Sequence, residues 1–215
     1  MALVVIATTL GGCKKEEPAS PPLAVHTESL SSVKQNWTEV GVVGISISFP
    51  PSIKASDMTQ AQASRIFDRA KQRHPNDANV FQKLKADPAK GGFKLMAKSL
   101  TPGPTGFTDN MSLIVIPTKA ATIDAILKSH QKVLARMSVP GSVMAHKIKL
   151  PAGDAAYIES DHSHPGSENR AISTYLMAHD GQEFLFTFAS GQPDKAEWRK
   201  TAADVMKTVK FAAKP

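Results

Sequence analysis

Apolar and polar positions alternate with a period of two along much of this chain. Residues 44–51 show that alternation most clearly, and Pro50 and Pro51 end the stretch. A period of two is typical of a strand with one buried face, so residues 37–43 and 44–51 are predicted to form a β-hairpin. Similar patterns predict strands at 93–99, 111–117, 143–150, 155–160, 170–178 and 183–188. Asp180-Gly181 between the last two predicts a tight turn.

Other regions repeat apolar residues every three or four positions, which is the spacing of a helix with one buried face. The strongest such pattern runs from Ile123 to Met137. Further helices are predicted at 58–73, capped by Ser56-Asp57, at 77–86, and after Asp194, which forms a capping-box pattern with Glu197. Strands joined by short turns, with helices between groups of them, predict an α+β fold in which helices cover both faces of an antiparallel sheet, an α/β/α sandwich.

Composition excludes several classes of protein. The 215 residues carry 26 Lys and Arg against 19 Asp and Glu, a net charge of +7, and 41% are hydrophobic. This is globular composition, and the longest uncharged apolar run, residues 2–10, is shorter than the roughly 18–20 residues of a membrane-spanning helix. The basic residues are scattered and form no stripe with aromatics, so no nucleic-acid partner is predicted. Their charge favours weak attraction to anionic envelope surfaces.

Cys13 is the only cysteine, which excludes an intramolecular disulfide and zinc sites built from several thiolates. It follows a short apolar stretch and two glycines. The run at residues 10–13, Leu-Gly-Gly-Cys, resembles the lipobox of bacterial lipoproteins. This resemblance implies that residues 1–12 are a signal peptide and that Cys13 carries the lipid. Because Met1-Ala2-Leu3 has no positive charge, we expect the natural start to lie upstream.

The residues after Cys13 predict a tether. Residues 14–22 are charged and rich in proline, with no apolar period that could pack, and the flexible segment is expected to span 13–36. Residues 37–211 are then expected to form a single globular domain. The residue after Cys13 is Lys14, and not the aspartate that resembles the inner-membrane retention signal of lipoproteins in enteric bacteria. In a Gram-negative cell we therefore expect an outer-membrane lipoprotein that faces the periplasm.

The folded body resembles the PsbP-like superfamily, which also includes the yeast Ran-binding nuclear import factor and bacterial lipoproteins of the DcrB kind. The resemblance covers about 41–211. It rests on residues 44–50, on the strand at 110–117 that leads into the Ile123 helix, and on the strand at 184–188 with the helix after it. These are patterns of apolar residues and element order. They imply the α/β/α fold and no particular activity.

The densest group of metal-ligand types lies at residues 159–168. His162 and His164 could bind one divalent ion from a loop, with Glu159 or Asp161 as a further donor. Metal binding is also something that the PsbP resemblance suggests. The same Pro, Gly and Ser content is typical of a solvated hairpin tip, so both interpretations remain open.

Two further residues bear on function. His130 lies on the apolar stripe of the central helix, where a neutral imidazole can pack and hydrogen-bond a neighbour, so a histidine in the core or at its boundary is favoured over a catalytic base. Phe107 lies in the Pro- and Gly-rich connection 101–110, either as a contact for a partner or as a plug under its own loop. We find no Gly-X-Ser-X-Gly elbow, P-loop, dinucleotide fingerprint or His-Glu-X-X-His helix.

These observations favour a non-enzymatic, lipid-anchored envelope protein without a cofactor, whose domain binds another envelope protein or a small ligand. The alternative is a metal-binding envelope protein that uses the His162/His164 loop. A hydrolase with a site assembled from distant residues is a third hypothesis.

Overall fold

The structure is a computed structural model. It describes residues 36–42, 44–57, 59–73, 92–103, 106–119, 122–136, 143–162, 170–191 and 195–212. The strands are β1 (Thr38–Val42), β2 (Ile45–Phe49), β3 (Ile53–Asp57), β4 (Gly92–Ser99), β5 (Asn110–Pro117), β6 (Val143–Leu150), β7 (Gly153–His162), β8 (Arg170–His179), β9 (Gln182–Gly191) and β10 (Lys210–Phe211). The helices are α1 (Gln60–Arg73), α2 (Ile123–Arg136) and α3 (Lys195–Met206).

The strands form two antiparallel sheets. The larger has seven strands in the order β3-β4-β5-β9-β8-β7-β6, and the smaller has the order β1-β2-β10. Two-residue turns connect β6 to β7 and β8 to β9, and β6 through β9 are neighbours in the sheet in the order in which they follow one another in sequence. In the turn from β8 to β9, Asp180 and Gly181 have φ angles of 48° and 70°. Positive φ at both central residues defines the hairpin turn that the Asp-Gly pair predicts.

The seven-stranded sheet is the middle layer of a sandwich. Its first face, called the α3 face here, packs against the small sheet and α3. The second, called the α2 face, packs against α2 and partly against α1. Because side chains alternate along a strand, β9 directs three phenylalanines to the α3 face and Leu185 to the α2 face. Buried side chains of the α3 face include Phe184, Phe186, Phe188 and Leu113, which share one core with Trp198 of α3. The predicted α+β sandwich, with helices on both faces, is confirmed.

The start of α1 differs from the prediction. Ser56 and Asp57 do not cap a helix, because they end β3 and pair with Met96 and Leu95. The cap is Thr59: its Oγ1 accepts a hydrogen bond from the Gln62 N–H at 3.2 Å, and its own N–H donates to Gln62 Oε1 at 3.0 Å. This reciprocal pair is a capping box. Residues 53–57 become a strand because β4 offers them a free edge, which local sequence does not reveal.

Other elements differ from the prediction in smaller ways or lie outside the described residues. The two-residue β10 was not predicted, and β7 continues two residues beyond the predicted end at Ser160. The predicted helix at 77–86 and the cap at Asp194 lie outside the described residues. Among the described residues, no helix is long and apolar enough to cross a membrane.

Candidate functional site

A partly accessible group of polar and aromatic side chains lies on the α3 face near the β6 end of the sheet. We call it the Tyr157 cluster; it consists of His146, Tyr157, Glu159, Ser173 and Arg199. Strand register brings the first four together, since His146 pairs with Tyr157 and Ser173 with Glu159. Arg199 reaches them from α3. Alternation along β6, β7 and β8 therefore assembles the cluster from residues far apart in the chain.

The Glu159 carboxylate is the centre of the cluster. The Tyr157 hydroxyl donates a hydrogen bond to Glu159 Oε2 at 2.6 Å, and Arg199 Nη2 lies 2.6 Å from Oε1. Tyr157 Oη is also 3.2 Å from Ser173 Oγ. The Glu159 and Arg199 side chains are 21% and 23% exposed, so both remain within reach of another molecule. Both carboxylate oxygens are engaged, and the guanidinium balances the negative charge.

Burial raises the pKa of Tyr157, and its hydrogen bond to Glu159 raises it further, to about 12. The phenolate would lose solvation and would face a carboxylate, so the proton stays on the oxygen. At neutral pH Tyr157 is therefore a hydrogen-bond donor. It is neither a base nor a nucleophile there.

Ring contacts fix the cluster to the core. The Tyr157 ring centroid lies 5.3 Å from that of His146 and 4.9 Å from that of Tyr175. Tyr175 contacts Phe188 at 5.7 Å, and Phe188 contacts Trp198 at 6.3 Å. Edge-to-face and tilted pairs at these separations are favourable. A row of aromatic rings thus connects the buried side of α3 with the surface of β6.

A second polar pair lies on the α2 face and is closed to solvent. His130 Nε2 of α2 is 2.5 Å from Glu183 Oε1 of β9, and their side chains are 0% and 6% exposed. His130 Nδ1 is buried and has no hydrogen-bond partner among the described residues. The prediction of a core histidine bonded to a neighbour is confirmed. Glu183 was not predicted as that neighbour, and the pair's burial suits a structural role.

The predicted metal ligands are only partly described. Glu159 belongs to the Tyr157 cluster. The prediction that Asp161 and His162 lie in the connecting loop is wrong, because both are residues of β7 and pair with Ala171 and Arg170 of β8. The side chains of Asp161 and His162, and all of His164, lie outside the described residues. Among those that are described, no three His, Cys, Asp or Glu side chains could jointly hold a metal ion. The metal site stays a prediction.

The connection between β4 and β5 contains Phe107, which is 9% exposed. Asp109, two residues later, accepts a hydrogen bond from the Gly191 N–H at 3.2 Å. Gly191 pairs with Arg170, which pairs with His162. The connection and the end of β7 therefore lie at one end of the sheet. A docking role for Phe107 stays a prediction, as does lipid attachment at Cys13, which lies outside the described residues.

The chain matches no protein-family model and no curated protein sequence. Its fold is similar to that of LpqN, involved in cell envelope biogenesis of Mycobacterium tuberculosis, at 13% identity over 83% of this chain and 93% of that chain, with a TM-score of 0.49. It is also similar to the cyanobacterial PsbP (CyanoP) of Synechocystis, at 10% identity over 85% and 98% of the two chains, with a TM-score of 0.48.

Two further solved structures are also similar in fold. One is the T6SS immunity protein TplEi of Pseudomonas aeruginosa in complex with a peptide, at 7% identity over 83% of this chain and 99% of that chain, with a TM-score of 0.46. The other is a structure from Bacteroides thetaiotaomicron, at 12% identity over 80% of this chain, with a TM-score of 0.44. This chain spans about half, 46%, of that longer chain. At these identities the similarity concerns the fold alone.

Proposed function

We propose that this chain is a lipid-anchored bacterial envelope protein whose folded body is a non-enzymatic binding module. The lipid anchor is proposed from the sequence Leu-Gly-Gly-Cys at residues 10–13, which the charged, proline-rich residues 14–22 follow. A single acyl chain binds a membrane marginally, whereas the two or three of a bacterial lipoprotein hold firmly. The tether would then hold the sandwich next to the membrane surface.

The Tyr157 cluster supports binding over catalysis. A general base needs an accessible acceptor that is free to take a proton near neutral pH. Both oxygens of Glu159 are engaged by Tyr157 and Arg199, and Tyr157 keeps its proton to about pH 12. His130 is buried against Glu183. The accessible groups therefore suit hydrogen bonds and ring contacts with a partner protein or a small ligand.

Fatty-acid labelling in a bacterial host that exports the protein tests the anchor. We expect wild type to take up label and to fractionate with membranes. The Cys13→Ser variant should do neither, while its melting temperature stays unchanged because the tether has no apolar period that could pack. Mass spectrometry that found Met1 retained and Cys13 unmodified in that host would contradict the envelope assignment.

A further inference from the structure

The strand β6 forms one edge of the seven-stranded sheet. It pairs with β7 along its whole length, from Val143↔Ser160 to Leu150↔Gly153, and with no other strand of the described part of the chain. In an antiparallel pair, every second residue directs its N–H and C=O groups away from its neighbour. Four of the eight residues of β6 thus present a row of outward backbone donors and acceptors, which is a template for another strand.

The charged side chains of β6 itself have one sign, and the acidic residues beside them are Asp124 of α2 and Asp154 of β7, which pairs with Lys149. The side chains of β6 include His146, Lys147 and Lys149 and no acidic residue. Lys149 is exposed, and Lys147 contacts Asp124 at 2.8 Å in a pair whose side chains are 40% and 71% exposed. An exposed ion pair of this kind is weak and exchanges readily for another carboxylate. The edge is therefore complementary to an acidic strand.

The opposite edge strand and a second copy of this chain are poorer matches. At the other edge, β3 has five residues and balances Lys54 with Asp57. If two copies of β6 paired, their lysines would gather in one stretch of the new ladder, where like charges repel. Lysines commonly protect edge strands in this way. They disfavour self-pairing and leave an acidic partner as the favoured occupant.

The two faces beside β6 differ in chemistry. On the α2 face, Lys147 and Lys149 border the edge. On the α3 face the bordering residues are Met144, His146, Ile148 and Leu150, and Met144 is 53% exposed. His146 packs on Tyr157 of the Tyr157 cluster. An added strand places alternate side chains on these two faces, so acidic residues would meet the lysines and apolar residues would meet Met144 and His146.

We propose that the edge of β6 binds an extended segment of a partner protein in which acidic and apolar residues alternate, as an eighth strand of the sheet. This rests on the proposed function as a binding module and adds the docking surface and the partner's chemistry. Main-chain hydrogen bonds supply affinity, and the two contrasting faces select the sequence.

A synthetic ten-residue peptide of alternating Glu and Val, about the length of this strand, tests the proposal by calorimetric titration of the full-length Cys13→Ser chain. We expect Lys147→Glu with Lys149→Glu to weaken binding roughly tenfold or more, since it reverses the charge that the peptide meets. The matched control is Lys54→Glu with Lys98→Glu, an exposed cross-strand pair at the other edge with the same change in net charge. This control should bind the peptide within about twofold of wild type once salt screens distant charges.

Two peptides with backbone N-methyl groups separate strand addition from charge attraction alone. N-methylation on one alternate set of residues removes the donors that face β6, and on the other set it leaves them intact. We expect one of the two peptides to lose binding and the other to keep it. Equal binding by both, equal loss in the two charge-reversed variants, or equal affinity for an alternating Lys and Val peptide would overturn the proposal.

The outcome is separable from that of the anchor experiment. Lipid labelling at Cys13 with no peptide binding would remove the β6 site and keep the envelope assignment. Peptide binding with an unmodified Cys13 would keep the β6 site and remove the envelope assignment. Melting temperatures of both charge-reversed variants close to wild type would show that the fold is intact, and a variant that unfolds is replaced by Lys149→Glu alone.

Discussion

Two glutamates on opposite faces of one sheet show how burial changes the role of a carboxylate. On the α2 face, Glu183 is paired with His130 and both side chains are nearly closed to solvent. On the α3 face, Glu159 is held by Tyr157 and Arg199 and remains one-fifth exposed. The buried pair connects α2 to β9 and leaves no group for a ligand. The exposed one organises a surface that a partner can reach.

The largest effect is expected from breaking the buried pair. His130→Leu leaves the Glu183 carboxyl in an apolar environment without its partner, and loss of about 3–5 kcal/mol of folding free energy is typical of such a change. Replacing both residues by leucine removes the unpaired group. We therefore expect the double variant to be more stable than His130→Leu. Urea denaturation of the four proteins of the double-mutant cycle measures this.

Additive losses in that cycle would contradict the comparison, because they would mean that His130 and Glu183 act independently. Ile126→Ala serves as a control for packing, since Ile126 is a buried apolar residue of the same helix and its removal leaves no polar group without a hydrogen bond. Its loss of about 2–5 kcal/mol should add to that of Glu183→Leu unless the two sites share a cavity.

A smaller effect is expected at the exposed glutamate. Glu159→Gln keeps an oxygen that can accept the Tyr157 hydrogen bond but removes the charge opposite Arg199, so we expect a loss of about 1–2 kcal/mol. Asp124→Asn breaks the more exposed pair with Lys147 and should cost about 0.5 kcal/mol or less. Equal losses of folding free energy at the two sites in urea denaturation would show that burial does not determine how much each pair stabilises the fold.

The sequence predicted the sandwich because alternation and helical period are local signals. The phenylalanines of β9 show this clearly, since Phe184, Phe186 and Phe188 are two apart and all face α3. The strand at Ile53–Asp57 was missed because its pairing depends on β4, about forty residues further along the chain. Helix-capping residue types at Ser56 and Asp57 pointed to another structure there.

The candidate site was predicted only in part, for the same reason. Glu159 was singled out as a metal ligand, but Arg199, the residue that balances it, lies on a distant helix. A signal was present, because Arg199 directly follows Trp198 on the apolar stripe of α3 and so borders the packed face. Nothing local specifies which strand that border meets, so the Tyr157 cluster required the three-dimensional structure.

The last prediction distinguishes the two regions by pH. Burial and the bond to Glu159 raise the pKa of Tyr157 from 10.0 to about 12 in the folded chain. A raised pKa means that folding favours the protonated phenol. Its contribution to stability is therefore complete below about pH 10 and is lost as pH rises toward 12.

The chain has two tyrosines, so phenolate absorbance of wild type and Tyr157→Phe isolates the Tyr157 transition. We expect Tyr157→Phe to remove the transition near pH 12 and to flatten the fall in urea stability between pH 10 and 12. A Tyr157 transition near pH 10 in the folded chain would mean that the hydroxyl is solvated and that Glu159 does not accept its hydrogen bond.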